Sequence, residues 1–275
     1  MSSTLIVLDT ETATARGTPH LLELGALRIE GDEVVDRFES LVRPQIPIDE
    51  DARRVHGIGE ADVRHAPPAS VVIDRFLEWL GPSQVFAGHN GRFDLHVLAF
   101  ECLRAERCLP NGTLLDTLRL ARRAFPDAPD HKLDTLCRLL AIDGERRHRA
   151  MADAEACWHV LRACLACFRE REPNADLSWA ALAQRGGQPI QTQAAIPAAP
   201  RLAPRLCELA QACRDKRRVV LVYGEEPALS RMTVMPRILF QHDRKGYLEA
   251  HCARSGLLKT YRLDRIHEVV CSAGD

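Results

Sequence analysis

Aromatic residues are scarce in this chain. Its 275 residues hold 3 Trp, 3 Tyr and 8 Phe, too few to lay out an extended row of rings on which successive bases could stack. Long apolar runs are missing too. No stretch approaches the roughly 20 residues that span a bilayer, and the first residues lack the basic start and long apolar core of a secretory signal. A cytoplasmic protein with no membrane partner is expected. Nor does one sign of charge prevail: 37 Lys and Arg stand against 38 Asp and Glu, so any polyanionic partner must be met by a local patch or through metal. The ten cysteines include one Cys-x-x-Cys, Cys164 and Cys167, within an apolar helical stretch. The second ligand pair of a zinc site is absent, and a reducing cytosol disfavours disulfides, so the cysteines read as buried thiols.

What is present first is alternation of strand and helix. "LIVLDTE", "LLELGALRIEG" and "EVVDRFESLVRP" read as three strands, with "EGDE" turning between the second and third. Helical spacing follows in "VVIDRFLEWL"; "QVFAGHN" is a short buried strand leading into the helix "FDLHVLAFECLRAE". "TLLDTLRLARRAF", "KLDTLCRLLAI" and "ADAEACWHVLRACLACF" all have helical spacing. A sheet begun by hairpins and covered by helices is an α/β architecture. Near residue 184 the character changes to "QRGGQPIQTQAAIPAAPRLAP", which carries no period, and residues 184–202 are expected to link a domain over 1–183 to a second over 203–275. The second begins with one helix, "RLCELAQACRDK", followed by four or five short strands, the pattern of a small β-barrel. Over residues 205–275 there are 13 Lys or Arg against 9 Asp or Glu, about +4, leaving about −5 for the remainder.

The first strand closes on two acids, Asp9 and Glu11. Side chains at i and i+2 of a strand share a face, so the two carboxylates converge at the end of an apolar run. Like charges held there lose hydration and repel unless a cation or a proton compensates. Further acids would come from separate elements. In "FAGHNGRFDLHVL" Asp94 opens a helix after a polar turn; in "HRAMADAEA" His148 lies five residues before Asp153 at the start of another helix. Taken singly, Asp94 and Asp153 read as helix caps and His148 as a surface residue.

Taken in order, Asp-x-Glu at a strand end, Asn-x-x-Phe-Asp at a strand-to-helix junction and His-x-Ala-x-x-Asp before an apolar helix resemble the DEDDh exonuclease superfamily, which includes the proofreading exonuclease subunit of bacterial DNA polymerase III. The likeness runs over about residues 4 to 170 and takes in "LLELGALRIEGDEVVDRFESLVRP", "VHGI" and "HKLDTLCRLLAI". It implies a ribonuclease H-like fold, a mixed sheet flanked by helices, and removal of nucleoside 5′-monophosphates from 3′ ends; DNA is the expected substrate, with RNA left open by the sequence. It also implies two Mg²⁺ or Mn²⁺ ions held by Asp9, Glu11, Asp94 and Asp153, with His148 as general base. Thr10, Thr12, Asn90 and Phe93 are expected near the substrate, Asn90 by hydrogen bonding and Phe93 by packing beneath the site. Relatives often carry Thr-Thr-Gly after the Glu; here Thr12, Ala13 and Thr14 follow, with Gly17 later, in a loop that lies near the family's terminal nucleotide. His56, His89 and His131 are taken as structural.

The pieces "VLVY", Pro236 after "MTVM", "GYLEAHC" and "TYRLDRI" resemble the WYL domain, a small SH3- or Sm-like β-barrel, over about residues 203 to 272. Gly246 stands where the namesake Trp would precede Tyr247 and Leu248. The resemblance implies binding of nucleic acid or of a small ligand or protein partner, with Arg231, Arg254, Arg262 and Arg265 as candidates for phosphate contact. The contrasting reading is a regulator or scaffold that holds nucleic-acid ends without cutting them. The sequence leaves the oligomeric state open.

Overall fold

The computed structural model describes residues 4–81, 85–142, 148–242 and 244–271. The chain divides into two compact units, Met1–Ile196 and Pro197–Asp275. In the first, the hairpin strands β1 (Leu5–Thr12), β2 (Leu21–Glu30) and β3 (Glu33–Leu41) lead to α1 (Glu50–His56), α2 (Glu60–Val63) and α3 (Ala69–Leu80). Then come β4 (Val85–Gly88), α4 (Arg92–Arg104), β5 (Thr113–Asp116), α5 (Thr117–Ala124), α6 (Leu133–Leu139), α7 (Ala150–Arg171), α8 (Trp179–Arg185) and β6 (Ile190–Gln191). The sheet order is β3-β2-β1-β4-β5-β6, with β4 parallel to β1 and β5, and the other pairings antiparallel. This is the expected mixed sheet.

Alternation along β1 sorts its side chains to two cores. Leu5 and Val7 pack with residues of α5, α6, α7 and α8, while Ile6 and Leu8 pack with α3 and α4. Both faces of β1 are therefore covered, as its unbroken apolar run requires. Among the described residues no helix is long and apolar enough to cross a membrane.

Two segments differ from the sequence expectation. "TLLD", expected as helix, is the strand β5. Asp116 ends it by accepting the Leu118 amide at 3.1 Å, which caps α5. Four residues are too few for a strand period to show against the helical spacing that follows. Part of 184–202 is folded onto the first unit: β6 pairs with β5, the Thr192 hydroxyl donates to the Pro110 carbonyl at 2.7 Å, and its amide donates to the Gly112 carbonyl.

The second unit holds α9 (Cys207–Asp215), β7 (Val219–Glu225), β8 (Ala228–His242), β9 (Lys245–Cys252), β10 (Leu258–Arg262) and β11 (Ile266–Cys271). Its strands form an antiparallel sheet in the order β10-β9-β8-β7-β11. A closed barrel was expected, yet no pairing joins β10 to β11 among the described residues. A short 3₁₀ turn, Leu263–Arg265, lies against β9 and β7 and carries the chain from one edge to the other. Leu209, Ala212, Val219, Leu221, Val234, Leu248 and Ile266 form its core. The nine described cysteines are free thiols; Cys108 and Cys207 are exposed and do not fit the expectation of burial.

Candidate active site

The end of β1 places Asp9 and Glu11 on the face covered by α7. Asp153, in the first turn of α7, is 8% exposed and meets them there. One carboxylate oxygen from each of Asp9, Glu11 and Asp153 lies within 4.8 Å of the others. Asp94 arrives from α4, across the sheet. It is 4% exposed, and its Oδ1 accepts from the Thr10 amide at 2.9 Å and the Thr10 hydroxyl at 2.7 Å. Asp94 thus stands outside the three-acid cluster, yet it is the charge that acts most strongly on Asp9, ahead of Asp153.

Burial and mutual repulsion raise the acids' proton affinities. Burial, followed by the charges of Asp94, Asp153 and Glu11, holds the Asp9 carboxyl well above the usual range. Burial, with Asp153 and Glu23 behind it, pushes Glu11 up to about 8. Asp94 is pushed to about 6 by burial, against the lowering effect of its hydrogen bonds from Thr10. A cluster of oxygen donors short of positive charge suits a hard divalent cation, which takes carboxylate ligands and removes the repulsion.

The turn that aims α4 is tight. Asn90 adopts φ 61°, its amide donates to Asp116 Oδ1 at 3.0 Å, and a Cβ on Gly91 would stand 2.8 Å from the Gly88 Cα. Asn90 is exposed at the turn. Phe93 is 48% exposed, so it does not pack beneath the site as expected. Thr10 and Thr12 are buried with their hydroxyls turned inward, Thr10 to Asp94 and Thr12 to the Thr14 carbonyl at 2.9 Å. The same alternation that brings Asp9 and Glu11 together directs the two threonines to the other face.

His148 has φ 62°. Its amide donates to Asp153 Oδ2 at 3.0 Å, and its Nε2 stands 3.9 Å from Asp134 Oδ2 with both side chains about half exposed. His89 bonds Thr117 and the His131 carbonyl, His131 the Phe125 carbonyl, and His56 Nδ1 accepts from the Ile58 amide; all three have local partners.

The loop from Ala13 to His20 is pinned from outside. Arg104 donates to the Pro19 carbonyl at 2.8 Å and to Glu101, which accepts the Leu21 amide at 3.0 Å. Burial, with Arg104 beside it, pushes His20 down to about 2, so it stays neutral.

Sequence reasoning missed Glu23 and Arg149. Glu23, opposite Glu11 in the β1–β2 register, is 1% exposed and accepts from Arg149 Nε at 3.0 Å and from the Ala150 amide at 2.9 Å. The available signal was a lone acid inside the apolar run "LLELGAL". A buried charge requires a partner, and Arg149 supplies it. Asp116, at the end of β5, was missed with the strand that carries it.

The family described as "Exonuclease" matches residues 6–161. The chain belongs to this exonuclease family. It carries the DEDDh-type domain, followed by a WYL domain matched over residues 204–271. Among curated relatives, a DNA polymerase III of PolC type from Bacillus cereus is 34% identical over 159 residues, covering 58% of this chain and 11% of the polymerase. A putative bifunctional exonuclease/endonuclease protein of Mycobacterium tuberculosis is 36% identical over 172 residues, covering 59% of this chain and 26% of that protein. The chain therefore spans only a minor part of the length of these relatives. Two solved structures share the fold. The nuclease domain of 3′hExo, a DEDDh family member bound to rAMP, superposes with a TM-score of 0.51 at 16% identity, covering 62% of this chain and 93% of that one. The zinc-bound E. coli ExoI–ssDNA complex does so with a TM-score of 0.57 at 17% identity, covering 90% and 54%. DEDDh exonucleases use divalent metal ions, and the cluster of Asp9, Glu11 and Asp153 has the donors to hold one.

Proposed function

We propose that this exonuclease removes nucleoside 5′-monophosphates from the 3′ ends of nucleic acid, DNA ahead of RNA. The observation that carries this reading is the convergence of Asp9, Glu11 and Asp153, with Asp94 held beside Asp9 by Thr10. Asp9, Glu11, Asp94 and Asp153 are the residues that would hold two Mg²⁺ or Mn²⁺ ions. When bound, such ions position the scissile phosphate, activate water and stabilise the leaving 3′ oxygen. His148, on the strained turn next to Asp153, is the general base, since an imidazole can take the proton of an attacking water near neutral pH. Asn90 and Phe93, both exposed near Asp94, would contact the terminal nucleotide.

For the WYL unit we propose contact with the nucleic-acid backbone. Arg231 and Arg254 are exposed and suited to phosphate. Arg262 is paired with Asp264, and Arg265 with Glu225 at 2.6 Å, so these two would have to exchange partners.

Purified protein is incubated with 5′-labelled single-stranded, blunt and 3′-recessed DNA and with RNA, in Mg²⁺, Mn²⁺ or EDTA. The expected result is a ladder shortening from the 3′ end. It vanishes in EDTA and falls by orders of magnitude in Asp9→Ala and Asp153→Ala, which stay folded. Binding without cutting in every metal would replace this reading with that of an end-binding regulator.

A further inference from the structure

Glu23 spends its carboxylate on the two residues that follow His148. Three hydrogen bonds from the Arg149 guanidinium and one from the Ala150 amide converge on it, at distances from 2.5 to 3.0 Å. Two residues further along β2, Gly25 lets the start of α7 lie directly against the strand: a Cβ there would stand 2.4 Å from the Ala150 carbonyl carbon and the Met151 nitrogen. His148 immediately precedes this anchored pair. Its left-handed φ is bridged forward by the hydrogen bond from its amide to Asp153 Oδ2, while its ring is half exposed. The backbone on the α7 side is thus tied at three places, while the half-exposed ring has the similarly exposed Asp134 carboxylate 3.9 Å from its Nε2. A fork-to-carboxylate pair sets orientation as well as distance, which a single hydrogen bond does not.

We propose that Glu23 is a positioning residue: through Arg149 and the Ala150 amide it sets where the His148 imidazole stands relative to the cluster of Asp9, Glu11 and Asp153. The proposal rests on His148 being the general base. Glu23 touches no reacting atom; it acts through the residue beside the base.

The test is a double-mutant cycle on the full chain. Glu23→Gln keeps the shape and one acceptor but loses the bidentate pair. Expected at saturating Mn²⁺ is a fall in kcat of about 10- to 100-fold, the usual scale for disturbing a supporting contact, with KM within about twofold. In a His148→Ala background the same substitution should cost less than about twofold, because its route is already removed. A second readout is independent of turnover: the ¹H–¹⁵N signals of the His148 ring should shift or broaden in Glu23→Gln. Should Glu23→Gln fold poorly, Arg149→Lys keeps the charge without the fork and should show the same non-additive loss. Equal fold-losses in the two backgrounds, or unchanged kcat in both Glu23→Gln and Arg149→Lys, would overturn the proposal while leaving the base assignment standing. Full activity of His148→Ala alone would overturn the base assignment, and the positioning role with it.

Discussion

The acids at the end of β1 are held in an order that costs stability until something neutralises them. Unfolded, Asp9 and Glu11 would titrate near 3.8 and 4.5; folded, Asp9 lies well above that value and Glu11 near 8, for reasons of burial first and neighbouring carboxylates second. Between about pH 4 and 8 the folded cluster therefore binds more protons than the unfolded chain. Stability without divalent ions must then fall as pH rises through this window, the reverse of a salt-bridged acid. A bound cation takes over the protons' task, adding about 2.7 kcal/mol at a hundredfold excess over its Kd. Thermal unfolding in EDTA should give a Tm that declines from pH 5 to pH 8. Mg²⁺ or Mn²⁺ should raise Tm by several degrees, and by more at pH 8 than at pH 5. Glu11→Gln should flatten the decline in EDTA and shrink the metal-induced rise. A rise of equal size at both pH values would mean that the cluster does not exchange protons for metal. The clustered acids were legible in the sequence because strand alternation brings Asp9 and Glu11 together, and because the order of the remaining motifs resembles the exonuclease family. Thr10 and Thr12 were legible too, in principle, since their inward direction follows from that alternation.

The contact between β2 and the start of α7 joins the sheet to Asp153 and His148. It depends on Gly25, against which the α7 backbone lies too closely for any side chain. Backbone atoms cannot step aside as the end of a flexible side chain can, so Gly25→Ala must shift α7 or bend β2. The expected cost is about 1–3 kcal/mol, as for overpacking a core, with a Tm several degrees lower. Turnover should fall further than the stability loss alone accounts for, because Asp153 and His148 move with the helix. Differential scanning calorimetry and kcat on one preparation test this; a lower Tm with normal kcat would mean that α7 keeps its place. Long elements such as β1, β2, α3, α4 and α7 could be read from the sequence because several turns or pleats repeat one pattern. β5 and β6, of four and two residues, could not, since pairing with neighbours distant in the chain makes them strands. Glu23 escaped notice because its partner lies 126 residues away, a separation that no local pattern encodes.

At the scale of the molecule, each unit closes its own core. The apolar clusters built around β1 involve residues up to Ala195, and the cluster of the WYL unit begins at Leu202. The charge divides along nearly the same line, with about +4 over 205–275 and about −5 elsewhere. The acidic cluster and the excess of positive charge therefore lie in different units. A chain ending at Ile196 should fold and keep metal-dependent cleavage of short oligonucleotides within a few-fold of the full chain. On longer strands it should bind more weakly and with less sensitivity to salt. Each phosphate neutralised on a single strand contributes about 0.7 to the slope of log K against log salt. Removing contacts by Arg231 and Arg254 should thus flatten the slope by about 1.4. Fluorescence anisotropy with a labelled DNA 20-mer, using Asp9→Ala in both lengths to prevent cutting, measures that difference directly. An unchanged slope would take the WYL unit away from the phosphate backbone and assign it instead to a small ligand or a protein partner.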